Sequence, residues 1–240
     1  MSRIAGFCLV TTVFLFSMFL NSQVFASTNE VIKKELKKRM DSISWAYEIK
    51  EYERGHKESK ELNNYILKNW NKAVPVLIEI LNDEKEKFGY KMQAMGRLGK
   101  LKAKESSDTI AKYLSDAEGN RGLVMYAIMS LSNIGNEKSV NYLINYYKSF
   151  LKGLNKGYER AIVIRELSKY ENEEVIELFI KALSDIDSSV RLFAVKALGE
   201  WKIKKAIIPL KRLIKTEYSP EVKDAINKSL EKIYSDEKEK

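Results

Sequence analysis

The chain has 240 residues, of which 45% are hydrophobic and 31% charged, and its formal net charge is +9 at pH 7. Its 11 glycines and 3 prolines are too few for a collagen-like chain or a proline-rich disordered one. The single cysteine, Cys8, lies near the N-terminus, so the rest of the chain has no disulfide, thiol nucleophile or thiolate metal site.

Residues 1–26 have the pattern of an export signal peptide. One charge, Arg3, precedes an apolar run over residues 4–20, and the small residues Val24 and Ala26 occupy the positions typical of signal cleavage. We predict cleavage after Ala26, which places the protein in the periplasm or outside the cell and lowers its net charge from +9 to +8. The alternative is an uncleaved membrane anchor, since a run of this length is at the short end of what crosses a bilayer of roughly 30 Å.

Residues 27–56 are predicted to form an N-terminal capping helix. Apolar residues recur there at intervals of three or four residues, which is the spacing of an amphipathic helix, and they continue to about Tyr52. The charged stretch over residues 53–60, which contains Gly55, is expected to end this helix. The recurring apolar residues are Ile32, Leu36, Met40, Ile43 and Tyr47.

Residues 57–234 contain a sequence repeat of about 33 residues. One position recurs at steps of 33, 33, 36, 31 and 32 residues, and a second apolar position follows 12 residues after each of the first five. Each unit is predicted to be two amphipathic helices that bury their apolar faces only by packing on neighbouring units. The first series is Tyr65, Leu98, Leu131, Leu167, Leu198 and Leu230, and the second is Leu77, Ile110, Leu143, Phe179 and Leu210.

The clearest unit covers residues 185–216. We expect Ser188 and Ser189 to cap its first helix and Gly199 to mark the end of that helix. In its second helix, Leu210, Leu213 and Ile214 form the predicted buried stripe, and the cationic residues lie on the other side.

The second helices of three units end with a short phrase that closes on an aspartate. These residues, Asp83, Asp116 and Asp185, are expected to accept backbone hydrogen bonds where the next unit starts.

The phrase L-x-D-x-D-x-x-V-R-x-x-A-x-x-A-L-G, from Leu183 to Gly199, resembles the HEAT repeat, in the short form also found in phycobilisome-lyase-type repeats. The resemblance implies an all-α fold, an α/α superhelical solenoid of about five to six helix pairs with the second helices on its concave side. Residues 152–157 are the longest departure from the period and are expected to lengthen a loop. The polar residues 235–240 are predicted to be a disordered tail.

A search for catalytic residues finds little. His56 is the only histidine and is expected to lie in an exposed loop. Iron-dependent hydroxylases built on HEAT repeats need several His–Glu pairs as ligands, and one histidine cannot supply them. The chain has no phosphate-binding loop, no nucleophile elbow and no H-E-x-x-H motif. We therefore predict no catalytic residue, cofactor or metal, and a protein that is not an enzyme. The alternatives are an enzyme or lyase-like accessory factor, and a nucleic-acid binder. Export weighs against nucleic acid as the ligand.

Basic residues give the main indication of a partner. Between Trp201 and Thr216 there are six cations and no acid, which favours an acidic protein, peptide or envelope component over a merely solvated surface. Tyr142 and Tyr146 share a helix face and are candidates for binding or for the core. The predicted binding residues are Lys112, Lys181, Lys205, Lys211, Arg212 and Lys215, together with the two tyrosines. Membrane contact is expected only for an uncleaved signal, and the sequence does not indicate an oligomeric state.

The export prediction is tested by the N-terminus of the native protein. Intact-mass and N-terminal peptide mass spectrometry should find Ser27 as the first residue, because the signal is removed after Ala26. A membrane fraction that contains the chain with Met1 and Arg3 still attached would instead establish an anchored protein.

Overall fold

The computed structural model describes residues 28–115, 121–150 and 157–238. Every regular element within these ranges is helical, and they contain no strand. The predicted signal, the turn at Asp116 and residues 152–156 of the predicted loop lie outside the described residues. None of the helices in the described ranges combines the length and apolar content that a membrane crossing requires.

The chain divides into two compact units, which meet in sequence between Leu101 and Lys102. The described part of unit 1, residues 28–101, contains four helices. Their facing sides are apolar and fully buried at Leu36, Leu62, Leu77 and Leu98, one residue from each helix. The helices are α1 (residues 28–48), α2 (Tyr52–Lys68), α3 (Trp70–Asn82) and α4 (Phe88–Lys100).

The predicted break at residues 53–60 is wrong, because these residues belong to α2. The break lies earlier, between α1 and α2, where Lys50 has a positive φ of 63°. Gly55 is buried under the ring of Tyr47, and a Cβ at position 55 would lie 3.1 Å from that ring. The glycine therefore allows close packing at this helix corner instead of ending a helix. His56 is exposed, as expected, but on a helix.

Unit 2 is a stack of helix pairs joined by short turns. The first helices of successive repeats, α6, α8, α10 and α12, pack in a row, and each second helix packs beside them. The arrangement confirms the predicted all-α fold of HEAT-like pairs. The helices are α5 (Ser107–Ala111), α6 (Arg121–Ile134), α7 (Glu137–Phe150), α8 (Gly157–Leu167), α9 (Glu173–Ala182), α10 (Ser188–Glu200), α11 (Ile207–Thr216) and α12 (Pro220–Lys238).

The repeat period identifies most of the core. All five predicted second-helix positions are fully buried, and so are Leu98, Leu131, Leu167 and Leu198 in the first series. The two ends of the series differ, since Tyr65 and Leu230 are only half-buried. Leu213 and Ile214 are also half-buried, because α11 is the last second helix of the described chain. The second-series residues, all buried, are Leu77, Ile110, Leu143, Phe179 and Leu210.

Two local predictions for α10 need correction. Its cap is Asp187, whose carboxylate accepts a hydrogen bond from the backbone N–H of Ser189 at 2.8 Å, whereas the two serines are already helical. Gly199 also lies inside the helix, where a Cβ would come within 2.7 Å of the Ser229 Cα on α12. The glycine is needed for the close approach of two first helices, and the left-handed residue that follows the helix is Lys202, with φ of 53°.

The predicted disorder of residues 235–240 is wrong for its first part. The backbone of α12 stays helical to Lys238, and the Ser235 hydroxyl donates a hydrogen bond to the Lys232 carbonyl at 2.9 Å. The physical reason is that this polar stretch contains no glycine or proline, so nothing in it stops the helix. Residues 239–240 lie outside the described residues.

Replacement of Leu198 by alanine tests the packing between repeats. The side chain is fully buried between α10 and its neighbours, so the cavity left behind should lower the free energy of unfolding by about 2 to 5 kcal/mol. Chemical denaturation followed by circular dichroism measures this change. The matched control is Leu230→Ala, at the half-buried position of the last repeat, which should cost clearly less; equal losses would contradict the assigned register.

Candidate functional site

A buried ion pair holds the turn between α9 and α10. The guanidinium of Arg160 donates two hydrogen bonds to the Asp185 carboxylate, each at 2.9 Å, and both side chains are almost completely buried. The Tyr147 hydroxyl donates to the same carboxylate at 3.2 Å. Burial, reinforced by the charge of Asp185, raises the pKa of Tyr147 well above its usual range, so this hydroxyl stays a donor.

A second ion pair holds the next turn, between α11 and α12. Arg191 donates to both oxygens of the Glu217 carboxylate, at 2.6 and 2.7 Å, and the backbone N–H groups of Tyr218 and Ser219 each donate to it at 2.9 Å. These hydrogen bonds, led by those from Arg191, lower the pKa of Glu217 to about 2. The carboxylate is therefore charged, saturated with donors and buried.

The expected role of the turn aspartates is confirmed for the two that the structure describes. Asp83 accepts a hydrogen bond from the Lys85 N–H at 3.0 Å, and Asp185 accepts one from the Asp187 N–H at 2.9 Å. Sequence reasoning identified the aspartates but missed Arg160, the partner of Asp185, and the Arg191–Glu217 pair at the next turn. The Val-Arg step of the repeat phrase is the signal that could have indicated Arg191.

Lys205 does not belong to a free cationic surface. Its ammonium group forms ion pairs with Glu173 and Glu177 of α9, and the hydrogen bonds to these two carboxylates raise the pKa of Lys205. The prediction that Lys205 is available for an acidic partner is corrected for this reason. Lys112 lies near Asp108. The pKa of Asp108 is lowered first by its hydrogen bonds with Lys138 and Tyr142, and the charge of Lys112 adds to this effect. Lys112 therefore also interacts with other groups of the protein.

The two predicted tyrosines are also committed to contacts within unit 2. The Tyr142 hydroxyl donates to Asp108 at 2.7 Å, and this hydrogen bond raises the pKa of Tyr142. The ring of Tyr146 packs edge-to-face on Phe150, with centroids 4.5 Å apart. Both side chains are half-buried, so the structure places them at the edge of the core and apart from the other predicted residues.

Four of the predicted cations remain exposed and form no ion pair with a described residue. Three lie on α11, which contains no acidic residue, and the fourth lies at the end of α9. The Lys211 ammonium lies 5.4 Å from the centroid of the Tyr234 ring, and the charge of Lys181 adds to the effect of Lys205 in lowering the pKa of Glu177. The acids of α9 are already used, because Glu173 and Glu177 pair with Lys205 and Glu174 pairs with Lys148. We call these four residues the cationic surface: Lys181, Lys211, Arg212 and Lys215. That they face a concave side stays a prediction.

Beside the cationic surface lies an open cavity of about 760 Å³. It is bounded by the C-terminal ends of α9 and α11 and by the two turns that the ion pairs hold, and Arg212 lines it. We call it the turn cavity. Sequence reasoning missed it because its lining comes from four segments of two successive repeats.

The Glu217 carboxylate makes the stability of unit 2 depend on pH. The pKa of Glu217 in the folded protein, about 2, is below its ordinary value of 4.5. The stabilisation that its charged form gives is therefore complete above pH 4.5 and is lost as the pH falls toward 2. Glu217→Gln should lower the free energy of unfolding at pH 7 by roughly 2 to 3 kcal/mol. Denaturation at several pH values should show the difference from the parent shrinking between pH 4.5 and 2. The exposed Glu221→Gln is the control, and a pH-independent difference for Glu217→Gln would contradict the assignment.

No group of three or more His, Cys, Asp or Glu residues suited to hold a metal ion occurs in residues 28–115, 121–150 and 157–238. Beyond this geometry, comparison with known proteins identifies the type of repeat. Residues 148–231 match the family model for HEAT repeats. A comparison with curated proteins gives no match.

A solved structure of human deoxyhypusine hydroxylase in complex with glycerol is similar over 90% of this chain and 99% of its own, at 15% identity and a TM-score of 0.37. That protein is an enzyme, and the prediction that this chain is not one, which was drawn from missing motifs, is withdrawn. The family match identifies HEAT repeats in residues 148–231, within unit 2.

Proposed function

We propose that this chain is a HEAT-repeat scaffold that binds an acidic protein or peptide segment through the cationic surface of unit 2. We further propose that it does so outside the cytoplasm, after removal of residues 1–26. The observation that carries the binding proposal is the set of four exposed cations that form no ion pair with a described residue.

The contrast with three other exposed lysines of unit 2 supports this proposal. Lys138, Lys148 and Lys232 each pair with an acid on a neighbouring helix, so their charges are balanced locally. On α11 the charges are of one sign, and adjacent like charges repel one another until an anion binds between them. An acidic segment would relieve this repulsion, which is the physical reason for expecting attraction at this place.

Nucleic acid is the competing polyanion, and Trp201 does not offer it a free stacking surface. Binding of single-stranded nucleic acid commonly uses exposed aromatic rings on which bases stack. Trp201, the tryptophan closest in sequence to the cationic surface, packs against Phe179 with ring centroids 5.1 Å apart. It is therefore part of the packing between repeats.

The test uses a fluorescein-labelled peptide of twelve glutamates, titrated with the purified chain and followed by fluorescence anisotropy. Reversal of three charges, Lys211→Glu, Arg212→Glu and Lys215→Glu together, should weaken binding by roughly tenfold or more, since each contact is replaced by repulsion. Added salt should weaken binding to the parent chain in the same direction, because exposed charges are screened over about 8 to 10 Å. Helix content should be unchanged, as all three side chains are exposed.

The matched control makes the same charge change on α2, with Lys57, Lys60 and Lys68 replaced by glutamate, and should bind almost as the parent does. Equal losses of binding in the two triple variants would show that binding depends on net charge alone, and would refute the proposed surface. A twelve-nucleotide oligo(dT) or vesicles with anionic lipid are compared as ligands. If either binds tighter than the glutamate peptide, the acidic-protein assignment is wrong.

A further inference from the structure

The lining of the turn cavity is half apolar, although the cavity lies at a charged edge of unit 2. Six of its lining residues are apolar or aromatic, and they come from both helix ends and both turns. Its volume of about 760 Å³ is within the range of roughly 300 to 1,000 Å³ that is usual for ligand pockets. The six residues are Ile180, Leu183, Ile186, Pro209, Leu213 and Tyr218.

The two acids that line the cavity attract no cation, since their charges are neutralised inside the protein. Asp185 is paired with Arg160, and Glu217 with Arg191, each through two hydrogen bonds. The lining charge that stays unpaired is the guanidinium of Arg212. The cavity therefore offers a ligand apolar surface together with one positive charge.

Two large side chains stand exposed at this cavity. Ile186 is 64% exposed and Tyr218 is 93% exposed, and each directly follows one of the paired carboxylates. They are 32 residues apart, which is one repeat, so the same turn geometry directs both side chains outward. Exposed apolar side chains grouped around one cavity are typical of a binding surface.

From these observations we infer that the turn cavity takes an apolar side chain of the acidic segment, next to an acidic residue that pairs with Arg212. This inference rests on the proposed function and adds a second requirement for the ligand. A purely acidic segment would leave Tyr218 and Ile186 in water, and a purely apolar one would cover Arg212 without a partner, which is costly. A segment with both kinds of residue satisfies the whole surface.

A random library of twelve-residue peptides, displayed and selected on the immobilised full chain, tests the inference without a known ligand. Peptides selected on the parent should be enriched both in Asp and Glu and in at least one bulky apolar residue beside them. Selection on Tyr218→Ala should retain the acidic enrichment and lose most of the apolar enrichment. The backbone hydrogen bond from residue 218 to Glu217 is kept in this variant, so the turn is preserved.

A second variant, Ser184→Trp, places a large side chain in the cavity from its rim and should have the same effect on selection. The matched control is Tyr158→Ala, because Tyr158 is 68% exposed on α8 and does not line the cavity. It should select the same peptides as the parent. The most enriched synthetic peptide should bind Tyr218→Ala at least tenfold more weakly than it binds the control.

The outcomes separate this inference from the proposed function. Acidic peptides without apolar enrichment, or apolar enrichment that survives in both cavity variants, would overturn the inference and leave the cationic surface intact. A selection with no acidic enrichment on the parent would overturn the proposed function as well. Loss of acidic enrichment in the triple charge reversal, with apolar enrichment retained, would show that the two surfaces contribute separately and would support both.

Discussion

The pairing of buried carboxylates with arginines at the turns is the interaction on which unit 2 depends. An isolated carboxylate buried as deeply as those of Asp185 and Glu217 would be strongly unfavourable, and here each one receives two hydrogen bonds from a guanidinium and further bonds from its own turn. Arg191 also donates to the carbonyl oxygens of Asp185 and Ile186, at 2.8 and 3.0 Å. It therefore ties two consecutive turns together, and the geometry of one repeat is transmitted to the next.

This internal neutralisation decides which charges remain for a partner. The acids of α9 are paired with lysines from the repeats before and after it, and the turn carboxylates are paired with arginines. What is left on this side of unit 2 is a group of cations on α11 and the end of α9. A count of lysines would give a broad basic surface, whereas the ion pairs remove several of these charges from it. The surface is thus smaller and better defined than the net charge implies.

The repeat period was enough to predict the fold and most of the core, because apolar spacing follows directly from helix geometry. It did not predict the purpose of the glycines. Gly55 and Gly199 resemble helix ends in the sequence, but each lies where another helix approaches closely, and the approaching residues, Tyr47 and Ser229, are set by tertiary packing. For the same reason Lys205 was misassigned, since its acidic partners lie 28 and 32 residues earlier, on the preceding second helix. Four of the eight predicted site residues remain in the candidate site.

The combination of charge and apolar surface at one place bears on selectivity. Exposed ion pairs contribute little free energy and are weakened by salt, so a cationic surface alone would attract many anions and retain few. An apolar side chain that enters a cavity gains free energy with the area it buries, at about 25 cal/mol per Å², and salt does not screen that gain. Arg212 lines the turn cavity together with the apolar residues, so both contributions are obtained from one short stretch of ligand. The buried ion pairs hold the backbone of both turns in place before binding, and little ordering of that backbone is then needed when a ligand arrives.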